Sequence, residues 1–246
     1  TTFTHAMEQM LIIIPTYDEK ENIAELIAEI FSILPEVHLL FVDDSSPDGT
    51  ADFVRSFIKQ YPDQIHLEVR QNKEGLGKAY VHGFRWALAR EYSFIFEMDA
   101  DLSHPAEALP QMLATLKNGT DVVVGSRYLN GVNVVNWPLF RIALSMIASI
   151  YVRIILGLPI KDTTAGFVGY SRASLQSLNL DDLVFVGYAF QIEMKYKLWK
   201  NGFSLKELPI IFTNRKKGNS KMDKTIIWEA IYGVFYLRFK SIFKRL

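Results

Sequence analysis

A chain of 246 residues, 49% of them hydrophobic, is long and apolar enough for one large domain or two small ones, and this composition excludes an intrinsically disordered protein. The absence of cysteine excludes disulfide frameworks and thiolate metal sites, and the histidines (His5, His38, His66, His82 and His104) show no paired ligand spacing. Net charge is zero and no nucleic-acid partner is expected, but residues 215–246 hold nine Lys/Arg against Asp223 and Glu229, so this end is +7, the remainder is −7, and an anionic partner is expected at the C-terminal end.

The opening "TTFTHAM" has neither the basic nor the long apolar stretch of a secretory signal and is expected to precede the fold. From there apolar runs alternate with helical patterns. "QMLIII" predicts a strand and residues 22–34 a helix; "HLLFVDD" is followed by a helix over 50–61, "IHLEV" by one over 78–90, and "SFIFEMD" by one over 105–117, with "DVVVG" closing the series. This alternation predicts an α/β domain: a mainly parallel sheet covered on both faces, with function at the C-terminal ends of the strands. The acids gather there, Asp18 and Glu19 after the first strand, Asp43 and Asp44 after the second, Asp99 and Asp101 after the fourth.

Beyond Arg127 an Asn-rich loop runs to Trp137, followed by the apolar segment 138–160. Arg141 and Arg153 bracket only eleven uncharged residues in it, short of the roughly 20 that span a bilayer, so a core helix or one lying on a membrane surface is expected. Residues 161–214 predict short turns, a helix over 188–201 and a strand in "SLKELPIIFTN"; a basic loop and a final helix follow. With no repeat and no low-complexity linker, the expectation is one domain over 10–222 carrying a basic amphipathic helix over 223–246.

Three motifs carry chemistry. In "YSFIFEMDADLSHP" a buried strand delivers two acids one residue apart; if extended geometry persists, Asp99 and Asp101 point the same way and need a proton or a hard divalent cation such as Mg2+ or Mn2+ between them, although two acids near a turn also fit a solvated loop. "VDDSSPDGT" reads as an Asx-rich turn into a helix, with a second pair of acids able to accept hydrogen bonds from a base or ribose. "TNRKKGNSKM", a basic loop with glycine and serine, suits a flap over phosphates; "NKEGLGKAY" satisfies neither glycine-rich nucleotide pattern and predicts a tight turn entering a helix.

In this order, "IIIPTYDEKENI", "FVDDSSPDGTAD", "NKEGLGKAYVHGF", "EMDADLSHPAE", "VVGSRY", "TAGF", "GYAFQIEM" and "NRKKGNSKM" resemble the family 2 glycosyltransferases of GT-A fold, and within them the catalytic subunits of dolichyl-phosphate and polyprenyl-phosphate mannose synthases. The likeness covers residues 10–222 and implies a Rossmann-like GT-A domain that transfers mannose from GDP-mannose to a polyprenyl or dolichyl monophosphate, with inversion and a divalent metal. It further implies that Pro15, Tyr17, Glu19, Val42 and Asp44 line the base and ribose pocket, that Asp99, Ala100 and Asp101 meet the metal and diphosphate, and that Arg127, Arg215 and Lys221 contact donor or acceptor phosphate. Ser103 stands where some relatives offer a longer glutamine to the metal. Relatives with C-terminal transmembrane helices differ from this sequence, so a peripheral position on the cytoplasmic face of a membrane, with or without a small anchoring subunit, is the implied route to the lipid.

Two alternatives stay open at this point: a family 2 transferase using another donor such as UDP-glucose, or a hydroxyl acceptor, and a non-catalytic nucleotide-sugar-binding membrane scaffold. Glu193 bears on the former, because a hydroxyl acceptor needs a base. A lipid monophosphate, with a second pKa of about 6, does not, and Glu193 is expected instead to orient the basic loop or a helix through an ion pair.

Overall fold

The computed structural model describes residues 9–215 and 224–243. Its first half follows the alternation read from the sequence: β1 (Gln9–Thr16), α1 (Lys20–Ile33), β2 (His38–Asp43), α2 (Thr50–Ile58), β3 (Ile65–Val69), α3 (Leu76–Leu88), β4 (Tyr92–Glu97), α4 (Leu109–Lys117) and β5 (Val122–Ser126). The second half adds β6 (Val134–Val135), α5 (Leu139–Leu156), β7 (Val168–Ser171), α6 (Arg172–Gln176), α7 (Tyr188–Lys200), β8 (Leu205–Pro209), β9 (Phe212–Thr213) and α8 (Lys224–Phe243).

Seven strands form one sheet in the order β3-β2-β1-β4-β7-β5-β8, and β6 and β9 form a separate ribbon. All pairs in the main sheet are parallel except those of β7, which lies antiparallel between β4 and β5. The mainly parallel sheet is therefore as expected, while β7 falls where only turns were expected. Both faces are covered, which is why the strands read as continuous apolar runs. Leu11 and Ile13 of β1 enter one core with Leu40 and Val42, and Ile12 and Ile14 enter the other with Leu39 and Phe41. α1 contributes Ile23, Leu26, Ile27 and Ile30, a stripe at helical spacing. Phe96 of β4 lies so close over Gly169 of β7 that a Cβ there would meet its ring at 2.5 Å and Val123 of β5 at 2.9 Å, so only a glycine fits at that position between the two neighbouring strands. Truncating Phe96 to alanine would cost about 3–5 kcal/mol.

Strand order reverses at β1, which has β2 on one side and β4 on the other. Ligands of open α/β sheets bind at such a point, outside the strands' carboxyl ends, and here it lies between the Tyr17 loop and the Asp99 turn.

α5 is long and apolar enough, by length and composition, to cross a membrane, yet it packs along one side on α8. Ser149, Val152 and Leu156 are buried, whereas Leu139, Phe140, Ile147, Ile150 and Ile154 are exposed. The final helix expected from the sequence is present, but its described side chains do not separate into an apolar and a basic face. Val234 and Leu237 are buried against its neighbours, and the exposed Tyr232, Phe235, Tyr236 and Phe239 stand beside the exposed Arg238.

Candidate active site

The loop after β1 and the loop after β2 are sewn together. Three successive backbone N–H groups entering α1 find acceptors on the second loop: Asp18 N donates to Ser46 Oγ (3.0 Å), Glu19 N to Thr50 Oγ1 (3.1 Å) and Lys20 N to Asp48 Oδ2 (3.1 Å). The Asx-rich turn thus caps a neighbouring helix as well as starting its own. Burial opposes the ionisation of Asp48, but hydrogen bonds from Thr50 and the Lys20 amide hold its carboxyl below the usual value.

The two acids at the end of β2 divide their work. Asp43 is fully buried and accepts from Thr16 Oγ1 (2.8 Å), Ser46 N (2.9 Å) and Ser46 Oγ (2.6 Å), so it braces the loops. Asp44 pairs with Arg70 at 3.2 Å, and Arg70 also binds Glu74 at 2.8 Å. Burial raises the Asp44 pKa while Arg70 opposes the rise. The Lys73 ammonium lies 3.7 Å from the Tyr17 ring centroid, and Glu19 accepts from Asn22 Nδ2 at 2.8 Å. Pro15 is half-buried beside Val42 in the strand register, whereas Val42 itself is sealed in the core beneath the crevice.

Strand pairing of β4 ends at Glu97, so strand alternation does not bring Asp99 and Asp101 together. A turn does, with Ala100 buried as its anchor and Leu102 in the left-handed region at φ 62°. Asp18 (φ 55°) and Ser45 (φ 54°) share that conformation, so three of the four such non-glycine residues among those described sit at one sheet edge. Strain of this kind persists where surrounding bonds over-determine the backbone, as they do at binding sites.

Asp99 is partly open to the crevice and accepts from the buried Tyr80 hydroxyl at 3.3 Å; its own N–H donates to His104 Nδ1 at 3.0 Å. That bond leaves the proton of a neutral imidazole on Nε2, which lies 4.0 Å from Asp99 Oδ2. Burial keeps His104 below the usual histidine range, and burial, with Asp101 adding to it, raises Asp99. Asp101 Oδ1 accepts from Ser103 N (3.1 Å), and Oδ2 meets Arg215 Nη2 (3.1 Å). The buried Ser103 Oγ has no hydrogen-bond partner. The two carboxylates offer oxygen donors only, which would suit Mg2+ or Mn2+ rather than a soft ion. Among the described residues no three His, Cys, Asp or Glu side chains gather to hold a metal, so the protein would contribute Asp99 and Asp101 and leave the other positions to substrate oxygens and water.

Arg127 stands at the end of β5 and is buried. It reaches Asp162 through N (2.9 Å), Nε (2.7 Å) and Nη2 (2.6 Å), and Thr164 Oγ1 through Nη2 (2.9 Å). Its guanidinium carbon lies 5.6 Å from the Trp137 ring, over which Arg141 also stacks at 3.9 Å. Arg141 Nη1 donates to Asn214 Oδ1 at 3.3 Å, next to Arg215. Lys221, the remaining expected phosphate contact, lies outside the described residues. Glu193 is fully buried, accepts from the Val184 and Phe185 amides (2.9 and 3.1 Å) and pairs with Lys197 at 3.0 Å; the ion pair expected for it is found, within its own helix.

The sequence reading did not single out Arg70, Tyr80 or Asp162. A cation directly after β3 was the one available signal for Arg70; Tyr80 and Asp162 acquire their roles from partners 19 and 35 residues away.

The fold is a mainly parallel α/β sheet with paired acids after its fourth strand, and the sequence itself assigns the class of enzyme. Residues 11–178 match the family described as "Glycosyl transferase family 2", and the chain belongs to that family of enzymes. It is 44% identical over 227 residues to polyprenol monophosphomannose synthase of Mycolicibacterium smegmatis (92% of this chain, 86% of that one) and 41% identical over 226 residues to undecaprenyl-phosphate mannosyltransferase of Micrococcus luteus (92% of each). Among solved structures, mannosyltransferase PcManGT from Pyrobaculum calidifontis in complex with GDP-Man and Mn2+ superposes with a TM-score of 0.61 at 17% identity, covering 94% of this chain and 64% of that one; the likeness is one of fold, the GT-A type.

Proposed function

We propose that the protein transfers mannose from GDP-mannose to the phosphate of a polyprenyl or dolichyl monophosphate, inverting the anomeric centre. The observation that carries this reading is the turn after β4, where Asp99 and Asp101 face Arg215 at the sheet's switch point in a chain 44% identical to a polyprenol monophosphomannose synthase. Asp44 and Arg70 accept and donate to the nucleobase edge, with Pro15, Tyr17 and Glu19 around the nucleoside. Asp99 and Asp101 would hold a divalent cation, which when bound supplies charge neutralisation to the departing nucleoside diphosphate. Arg215, and Lys221 by the resemblance, would contact the same diphosphate, and Arg127 meets phosphate with its guanidinium oriented by Asp162. A phosphate oxygen of the lipid attacks C1 of the sugar as the bond from C1 to the diphosphate oxygen breaks. That oxygen is anionic at neutral pH, so no side chain has to take a proton. Glu193, held by two amides and Lys197, supports the base-free route over a hydroxyl acceptor.

The acceptor's chain requires a lipid surface, and the exposed Leu139 and Phe140 at the start of α5 lie next to Trp137 and Arg141. We place α5 on the cytoplasmic face of the membrane, with the exposed aromatics of α8 alongside and a small anchoring subunit as an optional further hold. The test is incubation with a panel of nucleotide sugars and a short polyprenyl phosphate, with and without Mn2+ or Mg2+, and product identification by mass. Mannosyl-phosphoryl-polyprenol from GDP-mannose is expected; transfer only from another donor, or only to a hydroxyl acceptor, overturns the reading.

A further inference from the structure

The turn that orients Arg127 is itself held from two other directions. Glu207 of β8 accepts the amides of Lys161 (2.7 Å) and Asp162 (2.8 Å). From beneath, Lys195 of α7 donates through Nζ to the Ala165 carbonyl at 2.6 Å. Lys195 is fully buried; its Nζ lies 3.4 Å from Gln191 Oε1, and Gln191 Nε2 donates to Glu97 Oε2 at 2.6 Å. Glu97 is also fully buried, on β4 two residues before Asp99.

Core packing gives no reason for this network. A buried ion pair is often no more stable than apolar residues of the same volume, because desolvation offsets the attraction. What the network does achieve is a link from Glu97, at the end of the strand that precedes the paired acids, through Gln191 and Lys195 to the backbone of the turn that carries Asp162 and Thr164.

We propose that Lys195, backed by Gln191 and Glu97, is a positioning residue for the transfer: by pinning the Ala165 carbonyl it sets the 162–165 turn, and through Asp162 and Thr164 it aims the Arg127 guanidinium at the lipid phosphate. This rests on the reading of Arg127 as a phosphate contact. The turn that bears Asp162 and Thr164 is thus tied to α7 through Lys195 and to β8 through Glu207, so the guanidinium's direction depends on two regular elements as well as on the loop.

Steady-state kinetics with GDP-mannose and a short polyprenyl phosphate test this in the wild type, Lys195→Met, Arg127→Lys and the Lys195→Met/Arg127→Lys double variant. Lys195→Met should raise acceptor KM about tenfold through misalignment, with GDP-mannose affinity by calorimetry unchanged, and the effect should vanish in the Arg127→Lys background. Glu97→Gln/Lys195→Met, which strands no buried charge, carries the same measurement if Lys195→Met does not fold. A lowered Tm with unchanged acceptor KM, or a Lys195→Met effect that persists in full beside Arg127→Lys, overturns the proposal while leaving Arg127's role intact. An acceptor KM that Arg127→Lys does not move removes the phosphate contact itself, and the proposal with it.

Discussion

Replacing Asp162 with alanine should destabilise the protein more than almost any other single change at the site. The carboxylate is fully buried, Arg127 is 8% exposed, and the three bonds from Arg127 N, Nε and Nη2 span 2.6 to 2.9 Å. Removing one partner of a buried pair leaves the other charge uncompensated and costs about 3–5 kcal/mol. In a domain of this size each kcal/mol lowers Tm by about 2–4 °C, so Asp162→Ala should melt roughly 6–20 °C below the wild type. Asp162→Asn keeps an acceptor but not the charge and should fall between. Removing both charges, in Arg127→Met/Asp162→Leu, should restore most of the lost stability, because the penalty arises from the stranded ion rather than from the missing attraction. Thermal melts and urea titrations of the four proteins measure this. A Tm within about 2 °C of wild type for Asp162→Ala, or a double variant less stable than the single one, would refute the reasoning.

Asp101→Asn should abolish transfer while leaving the far-ultraviolet spectrum intact, since an amide cannot balance a divalent cation; full activity of this variant in EDTA contradicts the metal role. Glu193→Gln should lower Tm through loss of its Lys197 pair yet retain far more kcat than Asp101→Asn across about pH 6 to 9, and equal inactivity with donor still bound would instead make Glu193 a base. Burial holds the His38 and His66 pKa values below 6.5, so the unfolded chain binds more protons as pH falls through 6.5 and stability should drop there. Urea midpoints from pH 8 to 5 should fall in the wild type and fall less steeply in His38→Gln/His66→Gln, the buried His104 keeping part of the slope; identical slopes would assign the acid sensitivity elsewhere. Sedimentation with anionic liposomes should show binding that weakens with salt and is reduced by Leu139→Ser/Phe140→Ser, and an unaffected variant would leave α5 without a membrane role.

The first five strands and their helices were legible because each apolar run ends in turn residues before a helical pattern begins, as at Asp43 to Thr50. β7 was not: four residues with Gly169 in the middle and Tyr170 beside it give neither alternation nor length, and their strand character comes from the space left beside Phe96. At the site, the acids were legible as types and positions but not in their division of labour. Nothing local separates Asp43, which braces loops, from Asp44, which meets Arg70. Gln191 and Glu97 lie 94 residues apart, a distance over which no periodicity speaks. The amphipathic character expected of the C-terminal helix is not confirmed among its described side chains, where Phe235, Arg238 and Phe239 are exposed together.

The position of β7 also dictates when the sheet can close. β4 is finished by Glu97 and β5 by Ser126, but the two do not touch, since the strand that joins them ends only at Ser171. During synthesis, β3-β2-β1-β4 must therefore wait with an unpaired edge on β4, and β5 waits longer still for β8 at Leu205–Pro209. Such an edge recruits other chains. A fragment cut anywhere between β5 and β7 would keep most of the acids of the crevice and yet carry that open edge permanently, so it should aggregate rather than fold as a smaller version of the enzyme.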